Sequence, residues 1–397
     1  MEYKFADRII TLKPSVIREI LKADPDPEMV SFAAGNPSPL TFPSEEMGKI
    51  AAEIFASSAN EAFQYGVTEG YTPLRQATAS RIKEKFNVGR DFDDLIITSG
   101  GQQAIELAAK VLVNEDETII CESPSFIGAL NAFRSYKINL VGVDIDEDGM
   151  RIDLLERALK ENPNTKIIYT ISTFHNPFGV TLSLERRKKM IELAHEYDVI
   201  ILEDNPYFEL RYSGEYVLPI KSMDEEGRVI FAGSYSKVIA PGIRVGYACA
   251  PQDIISKMTV AKQVSDVHTN LFFQMLIHKF ITNGDFDNHI ARSCDLYRHK
   301  LNLMLSLMER QVDASKAKWT KPQGGLFLWL ELPEGYDGME LCRIMKPEKL
   351  TCVPGNAFCI DETKVSNAIR LNFSLPSDEQ IEKGVGILAR EIDKFVK

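Results

Sequence analysis

The chain has 397 residues, 44% apolar and 26% charged, with 57 acidic against 46 basic side chains for a net charge of −11. Those figures describe a folded protein of two or three domains, and they exclude nucleic acid or an anionic membrane as the main partner while leaving room for a small basic pocket. No basic apolar leader and no run of about 18 apolar residues occurs, and the six cysteines form no CxxC pair or ligand cluster, so a cytoplasmic protein with reduced thiols and no metal is expected.

The first 45 residues carry Pro25, Pro27, Pro37, Pro39 and Pro43 and read as loop-rich. Residues 95–98 read as a strand, 99–103 (SGGQQ) as a turn and 104–113 as a helix. Strands follow at 118–121, 166–172, 199–202 and 229–232. A helix capped by Ser183 fills 183–197, and HNPFG at 175–179 is a turn. Strand, turn and helix at this pace predict βαβ units and a mostly parallel sheet covered on both faces, because the apolar runs do not alternate. The texture changes after residue 285. A long helix at 289–310, an alternating strand at 324–332, a strand at 368–373 and a terminal helix predict a smaller α+β lobe. The expected division is 46–284 for a large domain and 285–397 for a small one, with 1–45 joining the small one.

In a parallel sheet, ligands bind beyond the carboxyl ends of the strands. SGGQQ at 99–103 lies between a strand and a helix, where free N–H groups and the helix dipole make an anion cup. Alone it is no more than a turn. Asp204 ends a strand beside Tyr207, Asn176 stands in a turn, and Phe126 follows another strand. Lys237 and Arg244 lie in GSYSKVIAPGIRVGY at 233–247. Singly, Asp204 reads as a cap or ion-pair partner, Asn176 as turn chemistry and Lys237 as a surface charge. Together, an anion cup, a carboxylate, an Asn–Tyr pair, an aromatic ring and one lysine suit a phosphorylated pyridine aldehyde.

The chain resembles the class I/II pyridoxal-phosphate (PLP) aminotransferases of fold type I, and within them the α-aminoadipate and kynurenine aminotransferase group. The resemblance rests on SFAAGNP at 31–37, QYG at 64–66, SGGQQ, HNPFG, EDNPY at 203–207, the 233–247 stretch, GGLFLW at 324–329 and IRLNF at 369–373. It implies a large domain with a mostly parallel seven-stranded sheet flanked by helices, plus a smaller α+β domain. It implies that Lys237 links to the cofactor aldehyde and then carries the α-proton, and that Asp204 pairs with the pyridine nitrogen. Asn176 and Tyr207 would hold the ring hydroxyl and Phe126 the ring face, a position where the family often has Tyr. Gly101, Gln102, Ser234, Ser236 and Arg244 would hold the phosphate. Tyr65 would reach the phosphate of a neighbouring subunit, which implies a homodimer with shared sites. Arg370 would grip the substrate α-carboxylate in a bidentate pair, with Gly35 and Asn176 also at the substrate. Arg18 either meets a substrate side-chain carboxylate or is a surface arginine paired with a glutamate on its own helix. The implied reaction moves the amino group of an L-amino acid (aminoadipate, glutamate or aromatic) to a 2-oxo acid such as 2-oxoglutarate, with ping-pong kinetics.

A PLP-dependent lyase or decarboxylase on the same fold is the rival that sequence separates least well. A sensor domain of a DNA-binding regulator is disfavoured by the charge of −11 and the full catalytic set. DIDEDG at 144–149 begins like a calcium loop, but the twelfth position is Leu155 rather than a bidentate glutamate, so a polar turn is expected.

Overall fold

The structure, a computed structural model, describes residues 3–10, 12, 26–283, 285–361 and 363–397. In chain order, β1 (Val30–Ser31) precedes β2 (Asp93–Thr98), β3 (Thr118–Ser123), β4 (Asn139–Asp146), β5 (Gly149–Met150), β6 (Thr165–Thr170), β7 (Ile200–Asp204), β8 (Val229–Ser234) and β9 (Gly246–Pro251). These last eight form one sheet in the order β2-β9-β8-β7-β6-β3-β4-β5. Seven are strands of five or more residues; the eighth, β5, is a two-residue hairpin partner of β4. Only β9 and β5 run against the others.

The unbroken apolar runs explain the centre of this sheet. In β3, β7 and β8 almost every residue is buried, as sheet faces covered by helices on both sides require. Two strands escape the sequence pattern. β4 lies towards the edge, where Val143 alone of its eight residues is buried, and β9 is a Gly- and Ala-containing run that lacks β-branched residues. The acidic stretch at 144–149 is the β4–β5 turn, where Arg186 clasps Asp146 through two bonds of 2.6 and 2.8 Å.

The second sheet holds β10 (Lys318–Trp319), β11 (Phe327–Glu331), β13 (Val353–Pro354) and β14 (Ala368–Asn372) in the antiparallel order β10-β11-β14-β13, while β12 (Leu350–Thr351) pairs in parallel with β1. β11 was expected to alternate, yet its first four residues are all buried. One side meets the helical core and the other carries Phe327 and Trp329 towards Arg370, Phe178 and Phe358. The helices Phe286–Gln311 and Asp378–Phe395 pack together, the latter opened by a capping box between Ser377 and Gln380. The segment after β1 is stitched to the last third of the chain: Phe32 N–H donates to Thr351 O and Asn372 N–H to Phe32 O, both at 2.8 Å.

Behind the site, Arg187 on the helix Leu184–Glu196 is fully buried. It donates to the carbonyls of Leu182, Ser172 and Leu218 at 2.6–3.0 Å and stands 3.7 Å from the buried Glu203 carboxylate. Glu203 in turn accepts the N–H groups of Ile220 and Lys221 at 2.9 Å. The pair ties together the segments that leave β6 and β7. Arg187→Met strands a buried carboxylate and should cost about 3–5 kcal/mol, read as a lower thermal unfolding midpoint; adding Glu203→Gln should recover part of it.

Candidate active site

Because β2, β3, β6, β7 and β8 point the same way and β9 the opposite way, their carboxyl ends and the start of β9 share one rim. The expected residues fall on that rim: Gly101 and Gln102 after β2, Phe126 after β3, Asn176 after β6, Asp204 and Tyr207 at the end of β7, Ser234, Ser236 and Lys237 at the end of β8, and Arg244 before β9.

The corner at β2 is built for an anion. The helix Gly101–Leu112 starts there with no side-chain cap, which leaves the N–H groups of Gly101 and Gln102 facing the corner. Gly100 has φ +83°, and a Cβ on it would lie 2.3 Å from Arg244 Nη2. A Cβ on Gly246 would lie 2.7 Å from Gly101 N. The two glycines therefore let the turn, the β9 start and the arginine converge. Arg244 itself takes the left-handed φ of +52° and donates to Ser236 Oγ at 3.3 Å and to Ser99 O at 3.1 Å. Ser234 Oγ accepts from Ser236 N–H at 3.2 Å. Gln102 engages its side-chain amide on Gly128 O at 2.8 Å, so it offers the corner its backbone. Phe126 caps the next helix, its ring packed so closely on Gly128 that a Cβ there would lie 2.4 Å from it.

The opposite wall holds the charges. Asp204 is 4% exposed and accepts from Tyr169 Oη at 2.8 Å. Burial pushes its carboxyl up to about 7; the Tyr169 bond opposes this and the nearby Glu122 charge adds to it. Burial also raises the Tyr207 hydroxyl well above its usual range, next to Asn176. Lys237 Nζ donates to Gly35 O at 2.8 Å, and burial, then the charges of Arg370 and Arg244, bring its amine down to about 8.

Arg370, on β14, is 2% exposed. Its Nη1 donates to Asn176 Oδ1 at 2.9 Å and its Nη2 to Ala33 O at 2.7 Å, with the guanidinium over the rings of Phe327 (4.2 Å) and Phe358 (4.9 Å). Burial pulls it down to about 10. Its Nε has no partner among the described residues, and no described carboxylate lies within ion-pair distance of the group. Gly35 stands beside Phe327, 3.3 Å from the position of an added Cβ.

Tyr65 is the outlying member: its ring is 80% exposed and stands edge-on to His268 at 5.8 Å. Arg18 lies outside the described residues. Sequence reasoning missed Tyr169, Phe327, Phe358 and the carbonyl of Ala33. Tyr169 carried a usable signal, since a hydroxyl in the middle of a buried strand needs an acceptor; the others did not.

The residues present fit pyridoxal phosphate. The β2 corner offers N–H groups, two hydroxyls and a guanidinium, a donor set for a phosphate, and the unpaired cationic wall suits a carboxylate. Among the described residues no cluster of His, Cys, Asp and Glu could hold a metal ion, and no helix is long and apolar enough to cross a membrane.

Comparison with known proteins agrees with this geometry. Residues 27–388 match the family model for aminotransferase class I and II. The chain is 42% identical to aromatic-amino-acid aminotransferase 1 of Thermococcus litoralis, covering all of this chain and 95% of that protein. It is 37% identical to the 2-aminoadipate transaminase of Thermus thermophilus over 96% of this chain and 94% of that one. The kynurenine aminotransferase of Pyrococcus horikoshii, solved in complex with PMP and KYN as substrates and KYA as products, superposes with a TM-score of 0.95 at 38% identity, covering 99% of this chain and 98% of that one.

In cofactor-free protein, labelling of Lys237 by an amine-reactive reagent should rise with pH through a midpoint near 8, because the neutral amine reacts. Arg370→Met should move that midpoint upward, as one repelling charge is gone; a midpoint near 10.5 would show that the lysine is not desolvated.

Proposed function

The chain belongs to the class I and II aminotransferases, PLP-dependent enzymes that transfer amino groups, and on that premise we propose that it moves the amino group of an aromatic, aminoadipate or glutamate-type L-amino acid to 2-oxoglutarate by ping-pong kinetics. The observation that carries this reading is the buried Arg370 guanidinium, which has no described carboxylate partner and lies close enough to Lys237 to lower the pKa of its amine. A buried cation of this kind is stabilised by an incoming carboxylate. The relatives that act on aromatic amino acids, 2-aminoadipate and kynurenine support the donor classes.

When bound, the cofactor supplies an aldehyde carbon for the amino group and a ring that accepts the electrons left behind by the α-proton. The chain does the rest. Gly101, Gln102, Ser234, Ser236 and Arg244 hold the phosphate, Phe126 the ring face, Asn176 and Tyr207 the ring hydroxyl, and Asp204 the ring nitrogen. A cation facing Asp204 would favour its ionised form against the burial that raises its carboxyl. Arg370 takes the donor α-carboxylate in a planar fork. Gly35 leaves space beside Phe327, and its carbonyl steadies Lys237. Lys237 Nζ receives the α-proton and returns it, a role helped by an amine titrating near 8 rather than 10.5.

The active unit in this reading is a homodimer. Tyr65, Phe63 and Val67 are 80%, 75% and 58% exposed around one short stretch, a surface that a second copy would cover while Tyr65 reaches its phosphate. The six free thiols support a reducing, cytoplasmic setting. The division at 45/46 and 284/285 is supported by β2–β9 and β10–β14 falling on either side of the second boundary and by the β1–β12 pairing.

The test is a single turnover without acceptor. Tyrosine, phenylalanine, kynurenine, aminoadipate and glutamate are each mixed with holoenzyme and the cofactor absorbance is followed. Aromatic or aminoadipate-type donors should bleach it and 2-oxoglutarate should restore it; no change with any donor sinks the proposal. Loss of acidic donors alone in Arg18→Ala would assign Arg18 to the substrate side chain. Arg370→Met should cut kcat/KM for every donor by about 10²–10³-fold, the worth of a buried charge pair. Tyr65→Ala should leave a dimer in sedimentation that releases cofactor faster than the parent.

A further inference from the structure

Behind the phosphate corner lies a polar network that the preceding reading does not use. Its centre is Asp266, which follows the helix Gln252–Gln263. Asp266 Oδ2 accepts from Ser99 Oγ at 2.7 Å and Gln103 Nε2 at 2.9 Å. Lys262, fully buried in the last turn of the helix, donates to both Asp266 oxygens at 2.7 and 2.9 Å and to Gln103 Oε1 at 2.7 Å. Gln103 Oε1 also accepts Ser99 N–H at 2.8 Å. Ser99 is therefore held at three points: its hydroxyl by Asp266, its N–H by Gln103, and its carbonyl by Arg244 Nη2.

The chain accepts backbone strain to place this carboxylate. Val267 has φ +66°, a left-handed conformation that a β-branched residue rarely takes. The N–H groups of Ser265, Asp266 and Val267 all converge on Lys262 O. Two residues on, Thr269 Oγ1 meets Ser99 Oγ at 3.2 Å. Burial pushes the Asp266 carboxyl up, but hydrogen bonds from Lys262, Ser99 and Gln103 and the Lys262 charge hold it below the ordinary carboxylate range, so it stays an anion. A strained turn, a buried lysine and a partly buried carboxylate exceed what a surface loop needs.

We propose that Asp266, held by Lys262, is a positioning residue for the cofactor phosphate: it fixes Ser99, and through Ser99 both the N–H groups of the turn and the place of Arg244. The proposal rests on the reading of that corner as the phosphate site. Asp266 itself does not touch the phosphate; it orders the groups that do, so its effect must depend on the phosphate being there.

The experiment titrates cofactor-free protein with pyridoxal phosphate and, separately, with pyridoxal, following absorbance. Asp266→Asn should weaken pyridoxal phosphate about tenfold, the scale of a lost charge-assisted bond, and leave pyridoxal unchanged. Ser99→Ala, which removes only one hydroxyl, should shift the same ratio in the same direction by less, and it decides the matter if Asp266→Asn fails to fold. Equal weakening of both ligands, or no change in either, would overturn the proposal. Arg244→Ala separates the two levels. If it lowers the ratio while the Asp266 and Ser99 variants do not, only the positioning role fails. If it leaves the ratio unchanged, the phosphate corner is misplaced and this proposal falls with it.

Discussion

A guanidinium buried without a carboxylate sets the terms for the rest of this molecule. Desolvating a cation costs several kcal/mol unless something replaces water. Around Arg370 that replacement is neutral: an amide oxygen, a backbone carbonyl and two ring faces. These hold the fork in place without cancelling its charge. The charge then reaches Lys237 and helps to lower its amine, while the Asp204 carboxylate accepts from the Tyr169 hydroxyl. An acidic protein thus keeps a cationic chamber inside, the small basic pocket that a net charge of −11 left open.

The two sheets divide the labour of holding that chamber. The large sheet delivers its side chains because its strands end at one rim, and three of the rim segments are braced from behind by buried charges. Arg187 and Glu203 brace the exits of β6 and β7; Lys262 and Asp266 brace the exit of β2. The small sheet supplies Arg370 and Phe327 from neighbouring antiparallel strands. Precision at the rim comes from these rear contacts as much as from the residues that face the ligand.

Most of the fold was legible from periodicity, because parallel strands buried on both faces leave unbroken apolar runs such as Ile-rich β3, β6 and β7. β9 was not: its Gly246 is required by close approach to the β2 turn, a constraint that only the folded chain reveals, and the run lacks β-branched residues. At the site, residues with chemistry of their own were readable: Lys237, Asp204, Asn176, Tyr207 and Arg244 stand at strand ends. Asp266 acts through another residue, so nothing in its local sequence announces it; Tyr169 does so too, yet a hydroxyl inside a buried strand already called for an acceptor. Phe327 looked like one more strand residue, and its place over Arg370 depends on the register of β11 against β14.

The order of the chain adds a consequence for how such a protein is made. The groups of the phosphate corner and its brace all lie between Ser99 and Thr269. The substrate wall instead needs Ala33 O against Arg370, 337 positions later, and Asn36 O against Ser374. A growing chain on the ribosome therefore carries every part of the first half before it can close the second, because Arg370 follows Thr269 by 101 positions. Until then the early segment at 30–36 has no β14 to lie against, and that stretch, with the buried Phe32 and Ala33, is what a chaperone would find exposed on the unfinished chain.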